Sequence, residues 1–144
     1  WLHALEAINS DGKDYDWCLA PQVTSPLRQT RDILKGIELA FSGKYDSLFS
    51  CCIAEDLFMW TRNSGVYNSI NYDWKNRKRR QDFGKQFVEN GSFYLFQPNF
   101  LRTHKNRLGG KIGVVEMEFW KMFEIDSQDD LRLCSAIMKE FILN

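Results

Sequence analysis

The run Ser47-Leu48-Phe49-Ser50-Cys51-Cys52-Ile53-Ala54 constrains this 144-residue chain most. It is β-prone throughout and lacks the strict alternation of a half-exposed strand, so it reads as a central strand covered on both faces. A second apolar run, Trp17-Cys18-Leu19-Ala20, reads as a buried strand over residues 16–20. Between the two, Ile33, Ile37, Ala40 and Phe41 recur on one helical face. Thr30 fits as N-cap, Asp32 suits the first turn, and Gly43 stops the helix. Residues 1–9 predict a further helix with Leu2, Leu5 and Ile8 on one face, ended by Asn9-Ser10-Asp11-Gly12. The order α, β, α, β implies parallel pairing through a right-handed crossover.

The remainder is more irregular. Residues 57–62 and 66–72 predict a hairpin around Asn63-Ser64-Gly65, and residues 73–91 read as a polar loop. Residues 92–97 return to a strand, and Pro98 opens a short helix through about His104. Gly109-Gly110 turns into a strand over Ile112–Met117, and residues 122–126 read as extended. Ser127-Gln128-Asp129-Asp130 forms a capping box. Leu131, Cys134, Ile137, Met138 and Phe141 line one face of the helix that follows.

Length and composition fit one soluble domain over residues 1–144. The 19 basic and 19 acidic residues cancel, which argues against a dedicated nucleic-acid binder. No apolar run approaches the ~18 residues of a membrane span. The N-terminus lacks the basic and apolar regions of a signal peptide, and it reads as the interior of a helix. The expectation is a chain beginning inside a longer domain. Cys18, Cys51, Cys52 and Cys134 fit no zinc or redox spacing. They read as buried free thiols of a cytoplasmic protein. His3 and His104 lie in polar helical contexts and suggest no catalytic dyad.

Three segments carry candidate chemistry. Gln22-Val23-Thr24-Ser25-Pro26-Leu27-Arg28 leaves a strand and feeds a helix, the place where open α/β sheets bind ligands. Its amide, hydroxyls and guanidinium suit a nucleotide or a sugar. Gln22 can donate and accept toward a ligand or bond the backbone locally, while Ser25 and Arg28 suit fixing the loop as well as touching substrate. Glu124 and Asp126 stand two apart in an extended stretch, so their side chains share a face. Two hard carboxylates there form a partial shell for Mg²⁺ or a solvated strand end. The run from Lys75 to Arg80 is either a solvated loop or an anion site; no aromatic interleaves with it, so an RNA reading is weak.

Taken in order, Gln22 and Thr24-Ser25-Pro26-Leu27-Arg28, Arg80-Gln81, Glu89-Asn90-Gly91-Ser92-Phe93-Tyr94, Gly109-Gly110-Lys111-Ile112-Gly113 and Ile125-Asp126-Ser127 resemble the acylneuraminate cytidylyltransferases. Members of that family transfer CMP from CTP to the anomeric hydroxyl of a sugar acid, release pyrophosphate, use Mg²⁺ and are usually homodimers. The resemblance implies a Rossmann-like nucleotidyltransferase α/β domain, truncated at its N-terminus, with a mixed, mostly parallel sheet and a dimerisation arm over residues 98–123. The arm's apolar anchors would be Phe96, Phe100, Leu101, Val114, Met117, Phe119, Trp120 and Phe123; an intradomain core is the other reading. Implied substrate residues are Gln22, Ser25, Arg28, Arg80, Asn90, Tyr94 and Lys111. Arg80 would clamp the sugar carboxylate, and Lys111 would reach a partner's site. Tyr94 reads equally as a core aromatic, and Gly91 suits a close backbone approach to ligand. Glu124 and Asp126 are the implied Mg²⁺ ligands.

Three departures stand out. The family's Gly/Ser/Arg-rich phosphate loop has no counterpart here, Glu124 replaces an Asp, and Val88 replaces a basic residue. The chain on its own is therefore expected to lack turnover. The alternative is a non-catalytic, self-associating or partner-binding remnant of the same fold.

Overall fold

The computed structural model describes residues 1–8, 12, 15–55 and 57–143, with Arg80 described for its backbone only. Most of the expected Asn9-to-Gly12 turn cluster lies outside the described residues. The elements are α1 (Leu2–Ile8), β1 (Cys18–Pro21), α2 (Thr30–Phe41), β2 (Ser47–Ile53), β3 (Trp60–Asn63), β4 (Val66–Ser69), β5 (Phe87–Phe96), α3 (Pro98–His104), β6 (Ile112–Met117) and α4 (Gln128–Phe141). Short 3₁₀ turns occupy Trp74–Asn76, Arg80–Asp82 and Phe119–Met122.

The main sheet runs β1-β5-β2-β6. β5 is antiparallel to both β1 and β2, and only β6 joins in parallel, against β2. The expected mostly parallel sheet is therefore corrected to a mixed one in which antiparallel pairing dominates. β1 and β2 do run in the same direction, but β5 lies between them. Its segment Ser92–Phe96 is wholly buried and takes the central place. Sequence order alone does not reveal that a strand from far along the chain will separate two neighbours.

β2 is covered on both faces, as its composition requires. On one face, Ala40, Ile33 and Leu39 of α2 pack against Leu48, Phe93, Leu95 and Val115. Gly36 makes that approach possible, because a Cβ there would lie 2.8 Å from Leu95 Cδ1 and 2.9 Å from Phe93. On the other face, Leu5 of α1 and Leu101 of α3 meet Ala20, Tyr94 and Phe96. α1 has 7 residues, too few to be stable alone. Burial of Leu5, worth about 1.5–3 kcal/mol, holds it in place. The domain is thus three layers, helix on sheet on helix.

Local expectations shift in four places. Gln29, not Thr30, caps α2, its N–H donating to Asp32 Oδ2 at 2.7 Å. Phe41, expected on the buried face, is 67% exposed as the helix's last residue. Residues 87–91, read as loop, begin β5; their polar side chains masked a strand whose partner contacts are all distant in sequence. Residues 122–126 join no strand: Met122 closes a 3₁₀ turn, and Phe123 after it is extended. The hairpin forms as expected, with Ser64 and Gly65 both at positive φ in the mirror-image turn that suits strand twist. Within segment 98–123, β6 belongs to the domain's own sheet, with Val115 and Met117 buried. Among the described residues no helix is long and apolar enough to cross a membrane.

Candidate functional site: an acidic rim at the strand ends

β1, β2 and β6 all point their carboxyl ends toward one rim, the usual binding edge of an α/β sheet. β5 is irregular near that rim. Its register against β2 jumps from Phe49↔Tyr94 to Cys51↔Glu89. Gly91 within the bulge takes φ 60°, a left-handed conformation that glycine adopts without strain. Asn90, 1% exposed, braces the bulge from inside. Its amide donates to Lys121 O at 3.1 Å, and its Oδ1 accepts from the Ser92 N–H at 3.3 Å. The Asn90 carboxamide thus faces the interior.

The Gln22–Arg28 loop is tied to the same bulge. The Gln22 N–H donates to Ser92 O at 3.0 Å. Arg28 Nη1 donates to Gln22 O at 2.8 Å and Ser25 O at 2.7 Å, and Ser25 Oγ to Asn90 O at 3.4 Å. Arg28 and Ser25 therefore shape the loop. Gln22 and Thr24 are left to present their side chains at the rim. A Cβ on Gly91 would run into the Glu124 carboxylate and lie 3.0 Å from Gln22 Oε1. Glycine is what lets the carboxylate and the carboxamide sit together over the backbone.

Glu124 is held there by a second tether: the Ile125 N–H donates to Thr24 O at 2.8 Å, and Thr24 Oγ1 donates to Glu124 Oε2 at 3.5 Å. Burial pushes the Glu124 carboxyl above its usual value; the charges of Asp126 and Glu89 push the same way, and the Thr24 hydroxyl opposes them. Asp126 is exposed two residues further on. Among the described residues no cation pairs with Glu124, and no group of three or more His, Cys, Asp or Glu is set to hold a metal. The donor set is two hard carboxylates that repel each other. That suits Mg²⁺, which takes one or two protein carboxylates and completes its shell with waters and phosphates.

Gln22, Gly91 and Glu124 are thus brought together, and the charge of Asp126 is felt by Glu124. Tyr94 lies beside them, 3% exposed, with its hydroxyl donating to Glu89. Burial and that carboxylate hold the phenol above its usual range. Lys111 is elsewhere: its N–H donates to Asp46 Oδ2 at 2.7 Å, next to the opposite end of β2. The backbone of Arg80 opens a 3₁₀ turn, and its side chain lies outside the description. Lys75 to Arg79 are exposed, as a solvated loop would be. The cysteines are free, and burial pushes Cys51 up to about 12 and Cys52 up to about 11, so neither offers a thiolate.

Sequence reasoning missed three participants as site residues, namely Thr24, Glu89 and Arg107. Thr24 and Glu89 stand inside blocks already singled out. Arg107, whose guanidinium lies over the Tyr94 ring, carried no signal, because only the chain reversal after α3 brings it there.

No family model matches the chain. Curated proteins do. The chain is 26% identical over 134 residues to the post-translational flagellin modification protein B of Campylobacter coli, across 88% of this chain and 54% of that protein. It is 27% identical over 133 residues to the N-acylneuraminate cytidylyltransferase A of Danio rerio, across 90% of this chain and 30% of that enzyme. The chain is a distant relative of the acylneuraminate cytidylyltransferase family. It spans about half or less of the length of these relatives.

Proposed function

We propose that this chain provides the sugar-acid and metal-binding part of a cytidylyltransferase site, on a Rossmann-like nucleotidyltransferase domain. The observation that supports this reading is the meeting of Gln22 and Glu124 over Gly91, with Asp126 alongside, at the carboxyl rim. Gln22 would read a hydroxyl and a carboxylate of a sialic-acid-like nonulosonic acid together. Glu124 and Asp126 would hold Mg²⁺, which when bound neutralises phosphate charge during transfer of CMP from CTP. Thr24 would keep Glu124 aimed, and the bulge would fix the distance between amide and carboxylate.

The test is calorimetric titration of the chain with N-acetylneuraminate and with Mg²⁺, alongside pyrophosphate release from CTP. Binding of the acid and the metal is expected, without turnover by this chain alone, since no triphosphate loop is present in it. Failure to bind either ligand overturns the reading, and robust turnover overturns the expectation of inactivity.

A second reading, self-association as a homodimer through residues 98–123, is favoured by exposed apolar residues on and next to edge strand β6. Ile112 on edge strand β6 is 47% exposed and Phe119 51%. Sedimentation velocity decides it: a dimer at micromolar concentration is expected, and a monomer at every concentration would remove this reading.

A further inference from the structure

We propose that Arg107 is the residue that reads the carboxylate of the acid substrate at this rim, an assignment that rests on the sugar-acid reading above. Its guanidinium carbon stands 4.0 Å from the Tyr94 ring centroid. Stacking on an aromatic face fixes the plane of a guanidinium and leaves its edges free. One edge carries Nε–H and Nη2–H, the pair that grips a carboxylate bidentately. Nε–H is the unsatisfied member of that pair. Among the described residues Nε is buried with no hydrogen-bond partner, the guanidinium interacts with the Tyr94 hydroxyl, and Nη2 is 3.6 Å from Glu89 Oε1. That separation is well beyond the ~2.7–2.9 Å of a close charge-assisted bond.

A buried N–H without an acceptor is costly, so the position favours an incoming anion. Glu89 links this edge to the rest of the rim. It accepts from Tyr94, and its charge is felt by Glu124. A sugar acid lying between Gln22 and Arg107 would place its carboxylate on that edge, displacing the long Glu89 contact, and its ring hydroxyls toward the carboxamide. Arg107 then selects acids over their neutral counterparts, while Glu124 and Asp126 remain available to the metal.

The experiment compares N-acetylneuraminate with its methyl ester by calorimetry, using wild-type chain, Arg107→Ala, Arg107→Lys, Glu89→Gln and Arg80→Ala, each checked for a cooperative melt. The free acid should bind wild type about tenfold or more tighter than the ester, matching a hydrogen bond to a charged group. Arg107→Ala should lose that preference, weakening the acid by about 10–100-fold while leaving the ester within about twofold. Arg107→Lys keeps the charge but not the fork and should fall between. Glu89→Gln should retain the preference. If Arg107 only props up Glu89 and Tyr94, Arg107→Ala and Glu89→Gln will instead weaken acid and ester alike, which overturns the assignment. A preference abolished by Arg80→Ala and kept by Arg107→Ala overturns it too. A wild-type chain that binds neither ligand fails earlier, at the sugar-acid reading itself.

Discussion

Two carboxylates on either side of one 3₁₀ turn have opposite environments. Asp32, on α2, is buried against Lys121, whose ammonium lies 2.9 Å from Oδ1 and 2.8 Å from Oδ2, with Glu118 at 2.7 Å and the Lys121 side chain wholly enclosed. Burial alone would raise Glu118, but Lys121 and Arg31 hold its carboxyl below the usual range. Three residues beyond Lys121, Glu124 has a hydroxyl, a neighbouring acid and no described cation, and its carboxyl is pushed upward. The first arrangement is closed: each charge has its counter-charge, and the result is a clamp between α2 and the turn. The second is open, a concentration of negative charge held in place by loop tethers. A fold gains nothing from such repulsion. The proposed reading is that a cation or substrate completes this open rim.

The largest effect should come from breaking the closed arrangement. Lys121→Met leaves Asp32 buried and unpaired, and is expected to destabilise the domain by about 3–5 kcal/mol in denaturant unfolding. Adding Asp32→Asn should recover a good part of that, because the amide is neutral and can still accept from the Gln29 N–H. If Lys121→Met unfolds within about 0.5 kcal/mol of wild type, the clamp is not what holds the turn, and the contrast with Glu124 collapses.

A smaller effect should follow at Gly91. Gly91→Ala puts a side chain at φ 60° and into the space of the Glu124 carboxylate. The backbone term is about 1–2 kcal/mol. The carboxylate sits at the flexible end of its side chain and can swing away, so the fold should survive. Mg²⁺ binding should not: the variant is expected to melt cooperatively a few degrees lower and to lose the metal's heat signal. Retained Mg²⁺ binding would show that Glu124 need not sit over the bulge to act.

How much of this was legible in the chain differs between the two arrangements. The layers were readable wherever apolar residues carry a clear period or an unbroken run, as in Leu48 to Ile53 and along α2. β5 resisted, because Phe87 to Gly91 mixes charge with strand and its β2 neighbours, Ile53, Cys52 and Cys51, lie 34 to 38 positions earlier in sequence. The approach of Gln22 to Glu124 was anticipated only through the resemblance to a family, which named both. The Asp32–Lys121 pair was not: a lysine between Trp120 and Met122 gives no local sign that it will be enclosed. Arg107 was silent for the same reason, since its meaning depends on a ring thirteen positions earlier that only the sheet places beneath it.

The finest test concerns pH. Glu124 binds its proton more tightly in the folded chain than in the unfolded one, where the value is near 4.5. Below that value the group is protonated in both states and contributes no difference. As pH rises past it, the unfolded chain releases the proton first, and the folded chain loses relative stability until its own raised value is passed. Glu124→Gln removes the penalty, so it should match wild type near pH 4 and exceed it at pH 7. The side chain is partly solvated, so about 0.2–1 kcal/mol is expected, a shift of a few degrees at most. Mg²⁺ should reverse the order at pH 7, stabilising wild type by about 1.4 kcal/mol at ten times its dissociation constant and the variant much less. A variant less stable than wild type at pH 7 without metal would mean that Glu124 is internally compensated. The rim would then be a second closed arrangement, and its claim to a ligand would go with it.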